Sequence, residues 1–281
     1  MGEAIGFGLH PVTSAVGAVV EGLDLRKPLA PEIVRSLRQA LAERGVLFFK
    51  NQELTTEGFW AFTGQFGIPL KDETTGTADD RAKDLMTVDF APARHSTAVW
   101  HSDTTSLAMP PWATILRAVQ PTSVGGDTCW SSMHAAWEGL SEPMRSMLDG
   151  LTAVHSVQPT YDRMLDYAPN FQAQYDPRHP REQIHPVVLT HPGTGRKVLY
   201  VNESFTTRIV ELSPSESAAV LSMLFRHIER PDFCVRWKWS ANDIAFWDNR
   251  SVQHYAVPDY QSGRIMQRIV LQGGRPGQEL S

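Results

Sequence analysis

Cysteine is scarce: among 281 residues only Cys129 and Cys234 occur, each within an otherwise apolar or aromatic stretch. Two thiols cannot frame a disulfide-stapled domain, so buried free cysteines are expected. No run approaches 18 uninterrupted apolar residues, and the chain does not open on a basic region followed by a long apolar one. No membrane partner is expected, and a cytoplasmic protein is. Positive charge is also in short supply, with 26 Lys and Arg against 31 Asp and Glu for a formal charge of -5, and no basic block. With a pI near 6.1, the concentrated basic face that grips phosphates is missing, which argues against nucleic acid as a partner.

What is present suits a folded enzyme. Apolar residues make up 42% of the sequence and charged residues 20%, the proportions of a globular chain with a core. No repeat or low-complexity linker interrupts it, so the expectation is one domain over 1–281. Pro31 to Glu43 carries Ile33, Leu37 and Leu41 at four-residue spacing, with Pro31 suited to a first turn and Gly45 to an end, which predicts a surface helix. A buried strand, Val46 to Lys50, should follow, then a helix capped by Thr55 or Thr56 and running through Phe66. Ser213, Pro214 and Glu216 form a capping box before a second amphipathic run. Short strands at Ala113–Val119, Val187–Thr190, Val198–Val201 and Phe233–Trp237, separated by Gly, Pro and Asn, predict antiparallel β-structure rather than a doubly wound sheet. Two irregular stretches, 71–94 and 158–183, are read as candidate lid loops.

His101-Ser102-Asp103 places an imidazole and a carboxylate two residues apart, and on an extended segment alternate side chains share a face. Such a pair is weak evidence alone, since ten histidines make a chance match ordinary. With a distant third ligand it becomes a two-His, one-carboxylate facial triad, which leaves positions open on an iron ion. The best third ligand is His254, which follows the apolar run Ile244–Trp247 and a polar turn. His179, His185 and His191 each precede a proline, His227 falls on the second helix, and His134 and His155 fit the core or the surroundings of the site better. Further on, Arg264, Met266 and Arg268 alternate with Ile265 and Ile269, so two guanidinium groups face one side. Inside a barrel they must meet anions to offset desolvation. One suits the remote carboxylate of an α-keto acid chelating the metal, the other an anionic substrate. Thr128, after Gly125-Gly126-Asp127, offers a hydroxyl beside that carboxylate.

These motifs resemble the taurine dioxygenase family of iron(II)- and 2-oxoglutarate-dependent oxygenases. The resemblance rests on Trp100 to Asp103, Gly125 to Thr128 with Trp130, His185-Pro186-Val187, Thr190-His191-Pro192, Val201-Asn202-Glu203, Phe205 to Val210, Trp247 to Arg250 with Gln253-His254, and Arg264 to Arg268. It implies a mainly β fold with flanking helices, a double-stranded β-helix or cupin-like jelly-roll barrel. It also implies Fe(II), 2-oxoglutarate and O2 as the reacting set. His101, Asp103 and His254 would hold iron, Thr128 and Arg264 the 2-oxoglutarate, and Arg268 and Phe205 a small anionic organic substrate. The taurine-hydroxylating members place a His and a Tyr shortly after the Phe-Gly that follows the second helix. Here Phe66-Gly67 leads to Ile68-Pro69-Leu70. His95 stands near the position of a pocket Asn, and Val157 replaces an aromatic soon after His155.

The expected activity is hydroxylation of a carbon in a taurine-like sulfonate, an alkyl sulfate or a related carboxylate, forming succinate and CO2 and releasing sulfite or sulfate. Retention of Asp103 argues against halogenation, which needs that iron position vacated. A zinc hydrolase on the same ligands, or a non-catalytic anion-binding barrel, are the competing readings; neither uses all of Thr128, Arg264 and the triad. Assembly into a homo-oligomer, dimer or tetramer, is expected only by analogy with the fold.

Overall fold

The computed structural model describes residues 6–70, 86–89, 98–167, 182–261 and 263–278. Strands β1 (Gly8–Pro11) and β2 (Ala18–Glu21) precede helix α1 (Pro31–Arg44). Pro31 occupies the first turn and Gly45, at φ 72°, closes the helix with its N–H on the Leu41 carbonyl. The chain then enters β3 (Val46–Phe49), whose four side chains are all buried. Leu47 and Phe49 pack among Leu37, Leu41, Phe59 and Phe62 under the helices. Val46 and Phe48 turn the other way, toward Trp130, Trp237 and Trp247. A strand covered on both faces reads as an unbroken apolar run, as this one does. Helix α2 (Thr56–Thr63) is capped by Thr55, whose hydroxyl accepts from Gly58 N. It ends three residues before the expected Phe66, because Gly64 takes over the capping bonds, yet Phe66 stays in the core.

Next come β4 (Met86–Asp89), β5 (Ala113–Gln120), β6 (Thr128–Ser132), α3 (Met133–Glu138), α4 (Glu142–Leu148), β7 (Thr152–Ser156) and α5 (Gln158–Tyr167). The remainder is β8 (Glu182–Pro186), β9 (Val188–Thr190), β10 (Lys197–Leu199), β11 (Thr206–Ile209), α6 (Pro214–Ile228), β12 (Cys234–Trp237), β13 (Ile244–Asp248), β14 (Val252–Ala256) and β15 (Ile265–Leu271). The predicted capping box of α6 is present, with Ser213 and Glu216 bonding reciprocally. A seven-stranded sheet runs β1-β2-β3-β13-β5-β15-β4, antiparallel except for β2 on β3. Facing it are the three-stranded sheets β12-β6-β14 and β11-β7-β8. The fold is the expected jelly roll. Between the sheets lies an aromatic core in which Phe48 stacks on Trp237 at 4.0 Å and meets Trp130 edge-on at 5.4 Å.

Both candidate lid stretches are less irregular than expected. The stretch 71–94 contains β4, which pairs with β15, and the stretch 158–183 contains α5 and the start of β8. Four residues of strand and a ten-residue helix whose second position is Pro159 are too short for periodicity to stand out. The rest of both lid candidates, 71–85, 90–94 and 168–181, lies outside the described residues, as does His95. Cys129 and Cys234 are free, on adjacent strands, and half-buried rather than sealed in the core.

Gly45 joins α1 to β3 at positive φ, and a Cβ there would overlap Val252, two residues before His254. Gly45→Ala should therefore cost about 1–3 kcal/mol of stability. Thermal unfolding by circular dichroism checks this; an unchanged Tm would show that β14 yields freely at this point.

Candidate metal centre and active site

Two main-chain bonds set the geometry. His101 N donates to the His254 carbonyl at 3.1 Å and His254 N to the His101 carbonyl at 2.8 Å, an isolated antiparallel bridge between a connecting segment and the middle of β14. The imidazoles thus stand side by side, ring centroids 4.1 Å apart. Asp103 follows as the chain turns at Thr104, φ 41°, and its Oδ1 lies 3.8 Å from His254 Nε2. Ser102 points away and donates to the Val252 carbonyl at 2.8 Å, as the alternation predicts. One ligand atom from each of His101, Asp103 and His254 falls within 4.8 Å of the others.

The protonation states suit a cation. Burial holds the His254 pKa down at about 3, helped by the neighbouring His101. Burial also lowers that of His101. His101 Nδ1 donates to the Val99 carbonyl at 2.7 Å, which leaves Nε2 with its lone pair. Burial alone would raise the Asp103 pKa, but His254, Arg268, His101 and the Thr114 hydroxyl outweigh it and hold the value near 2. Two neutral imidazoles and one carboxylate form a donor set for a divalent transition metal.

Around Asp103 runs a hydrogen-bonded chain that sequence reasoning missed. Thr114, on the barrel face of β5, donates to Asp103 Oδ2 at 2.6 Å and accepts from Asn249 Nδ2 at 2.9 Å. Asn249 Oδ1 in turn accepts from Trp247 Nε1 at 2.9 Å, and the Trp247 ring lies against His254, centroids 4.8 Å apart. One carboxylate oxygen is thereby fixed, and Oδ1 is turned toward the histidines. Asn249 was visible as part of a motif; Thr114 carried no signal beyond an alternating strand.

At the barrel's other wall, Gly125 and Gly126 both adopt φ near 70° before Thr128 opens β6. The Gly126 carbonyl accepts from Arg264, whose guanidinium also lies over the Tyr260 ring at 4.8 Å. Thr128 accepts from Trp239 Nε1 at 3.0 Å, so its own hydroxyl proton is left to donate elsewhere. Both side chains are buried, Arg264 at 4% exposure and Thr128 at 3%. Arg264 thus lies against the glycine turn that leads into Thr128, and Trp239 and Tyr260, which the sequence did not single out, support the two side chains.

Arg268 lies two alternations further, on β15, and sets NH1 3.4 Å from Asp103 Oδ1. Phe205 is held by its N–H on Asn202 Oδ1 and its carbonyl on Ser156 N, which seats it beside Val157. Leu70 N bonds the Val270 carbonyl, so the segment after Phe66-Gly67 runs past β15 just beyond Arg268. The other described histidines are engaged elsewhere. His191 reaches Asp248 at 3.0 Å, His227 the Ala136 carbonyl, His134 the Lys197 carbonyl and His185 the Leu107 carbonyl. His155 is fully buried against Thr105, two residues past Asp103.

The profile described as the taurine catabolism dioxygenase TauD, TfdA family matches residues 9–270. An alpha-ketoglutarate-dependent sulfate ester dioxygenase of Pseudomonas putida is 35% identical over 98% of this chain and 92% of its own length. An alkylsulfatase of Acinetobacter baylyi is 34% identical over 94% and 84%. The crystal structure of a taurine dioxygenase from Burkholderia xenovorans, 37% identical, superposes with a TM-score of 0.80, covering 97% of this chain and 94% of that one.

Thr114→Val keeps the shape of the side chain but removes the hydroxyl that fixes Asp103. Affinity for a divalent metal should fall by about 10–100-fold, read by equilibrium titration; parental affinity would mean the Thr114 bond does not orient the ligand. A second prediction concerns pH. Burial lowers His155 to about 3 and His134 to about 4, against an ordinary 6.5. The unfolded chain therefore takes up protons first as pH falls, so the stability held above pH 6.5 should drain away toward pH 4. Each group adds up to about 1.4 kcal/mol per pH unit. Urea midpoints from pH 7 to 4.5 measure it, and a flat profile would contradict it.

Proposed function

The chain belongs to the taurine catabolism dioxygenase TauD, TfdA family and is an Fe(II)- and 2-oxoglutarate-dependent dioxygenase; from that premise we propose that His101, Asp103 and His254 hold its iron and that its substrates are alkyl sulfate esters. The observation that carries the reading is the triad itself, with Asp103 and His254 buried, its ligand atoms within 4.8 Å of one another, and Arg268 of β15 3.4 Å from Asp103. Relatives named as a sulfate ester dioxygenase and an alkylsulfatase support the substrate class. So does the sequence at 68–70 and 157, where Ile68-Pro69-Leu70 and Val157 stand in place of the His, Tyr and aromatic of taurine-hydroxylating members, a replacement that favours an alkyl chain over a cationic amine.

When bound, iron(II), 2-oxoglutarate and O2 together supply the oxidising equivalent that hydroxylates a C–H bond, with succinate and CO2 as products. The chain's own groups do the rest. Arg264 and the Thr128 hydroxyl receive the remote carboxylate of 2-oxoglutarate, a charge-assisted contact in a water-poor wall. Arg268 receives the anionic head of the substrate, and Phe205 and Val157 confine the carbon next to it. Hydroxylation of the carbon bearing the ester oxygen gives an unstable adduct. Its C–O bond to sulfate breaks with the electron pair leaving on sulfate, the new hydroxyl loses its proton, and an aldehyde remains.

Hexyl sulfate should therefore yield hexanal, sulfate and succinate in equal amounts, whereas a hydrolase would give hexanol without succinate. Asp103→Ala should abolish substrate-coupled succinate formation; a near-parental rate would remove Asp103 from the metal. Arg264→Gln should raise the KM for 2-oxoglutarate by roughly thirtyfold or more, with a smaller effect on that for the sulfate. Neutral alkyl esters should be poor substrates, and one turned over as well as hexyl sulfate would sink the assignment of Arg268.

A further inference from the structure

Arg264 rests on a turn that is itself held by a neighbouring connection. The peptide between Gly125 and Gly126 is bonded at both ends. Thr122 donates its hydroxyl to the Gly125 carbonyl at 2.6 Å, and Gly126 N donates to Asp259 Oδ1 at 2.8 Å. Asp259 lies on the connection from β14 to β15. Its Oδ2 accepts from Arg236 NH2 at 3.2 Å, and Arg236 Nε donates to Asp127 Oδ2 at 2.7 Å. Asp127 in turn fixes the start of the same connection, its carbonyl accepting from Val257 N at 2.9 Å. The fit is close, for a Cβ on Gly125 would lie 2.5 Å from Asp259 Oδ1 and 2.7 Å from the Asp259 carbonyl oxygen.

Two successive glycines have little conformational preference of their own, so the direction of their carbonyls comes from whatever holds them. Here the held peptide aims the next carbonyl, that of Gly126, at Arg264. Tyr260, the buried neighbour of Asp259 in the chain, sets its ring against the same guanidinium. Both of these supports of Arg264 therefore run through Asp259. Resting on the reading that Arg264 receives the remote carboxylate of 2-oxoglutarate, we propose that Asp259 is a positioning residue for cosubstrate binding, acting through the Gly126 carbonyl and the Tyr260 ring. Of its two bonds, the one to Gly126 carries the effect. The Arg236 and Asp259 side chains are 54% and 46% exposed, and an exposed ion pair contributes little. Gly126 is buried, and its N–H left unpaired would be costly.

Calorimetry on anaerobic, Fe(II)-loaded enzyme reads the affinity for 2-oxoglutarate, with the affinity for Fe(II) measured alongside. Asp259→Ala should raise the dissociation constant for 2-oxoglutarate about tenfold and leave that for Fe(II) at its parental value. Asp259→Asn, whose amide oxygen can still accept from Gly126, should stay within about threefold of the parent. In the Arg264→Gln background Asp259→Ala should add almost nothing, because its route to the cosubstrate is gone. Four results overturn the positioning role: parental 2-oxoglutarate affinity in Asp259→Ala, an equal loss in Asp259→Asn, a loss additive with that of Arg264→Gln, or a matching loss of Fe(II) affinity. If Arg264→Gln weakens 2-oxoglutarate binding and Asp259→Ala does not, the positioning role fails alone. If Arg264→Gln itself leaves that binding unchanged, the assignment of Arg264 fails with it.

Discussion

Everything at the site depends on the pair of main-chain hydrogen bonds between His101 and His254. Imidazoles are too short to find one another from independent loops, and a metal cannot recruit its ligands cheaply if each must first be ordered. The bridge settles that cost when the chain folds, because β14 is already fixed by its pairing with β6. From this anchor the remaining geometry follows by chain length. Asp103 is two residues on, Thr105 reaches His155 two further, and Asn249 meets Asp103 from the turn that feeds β14.

Charge is balanced in the same small volume. One carboxylate faces two imidazoles kept neutral by burial, with Arg268 against it and Arg264 deeper in the barrel. In a water-poor interior such an arrangement attracts anions strongly. The apolar surroundings, Trp247 above all, deny water the role of screening them.

Much of this was legible in the sequence, because the informative parts are local. His101-Ser102-Asp103, the glycine turn before Thr128 and the alternation through Arg264 and Arg268 each express a short-range rule of spacing or face. The capping box at Ser213 and the helix between Pro31 and Gly45 are legible for the same reason. What stayed hidden is what joins distant segments. Thr114 looks like any strand residue until β5 lies beside Asp103, and Tyr260 and Trp239 acquire their parts only when they pack against Arg264 and Thr128. Helix α5 and strand β4 look irregular in the sequence because a few residues of either period cannot rise above polar neighbours.

The two halves of the proposed site are built from different kinds of chain. The triad and the arginines of β15 belong to strands, or are tied to them, and are braced through the aromatic core, whereas Phe205, Val157 and the 68–70 segment belong to connections between elements. A change in the first half alters the barrel; a change in the second alters only its rim. Such a molecule can be re-addressed to new chemicals by rewriting a few connecting residues while its oxidising machinery is inherited whole, and selectivity is then a replaceable part mounted on a fixed engine.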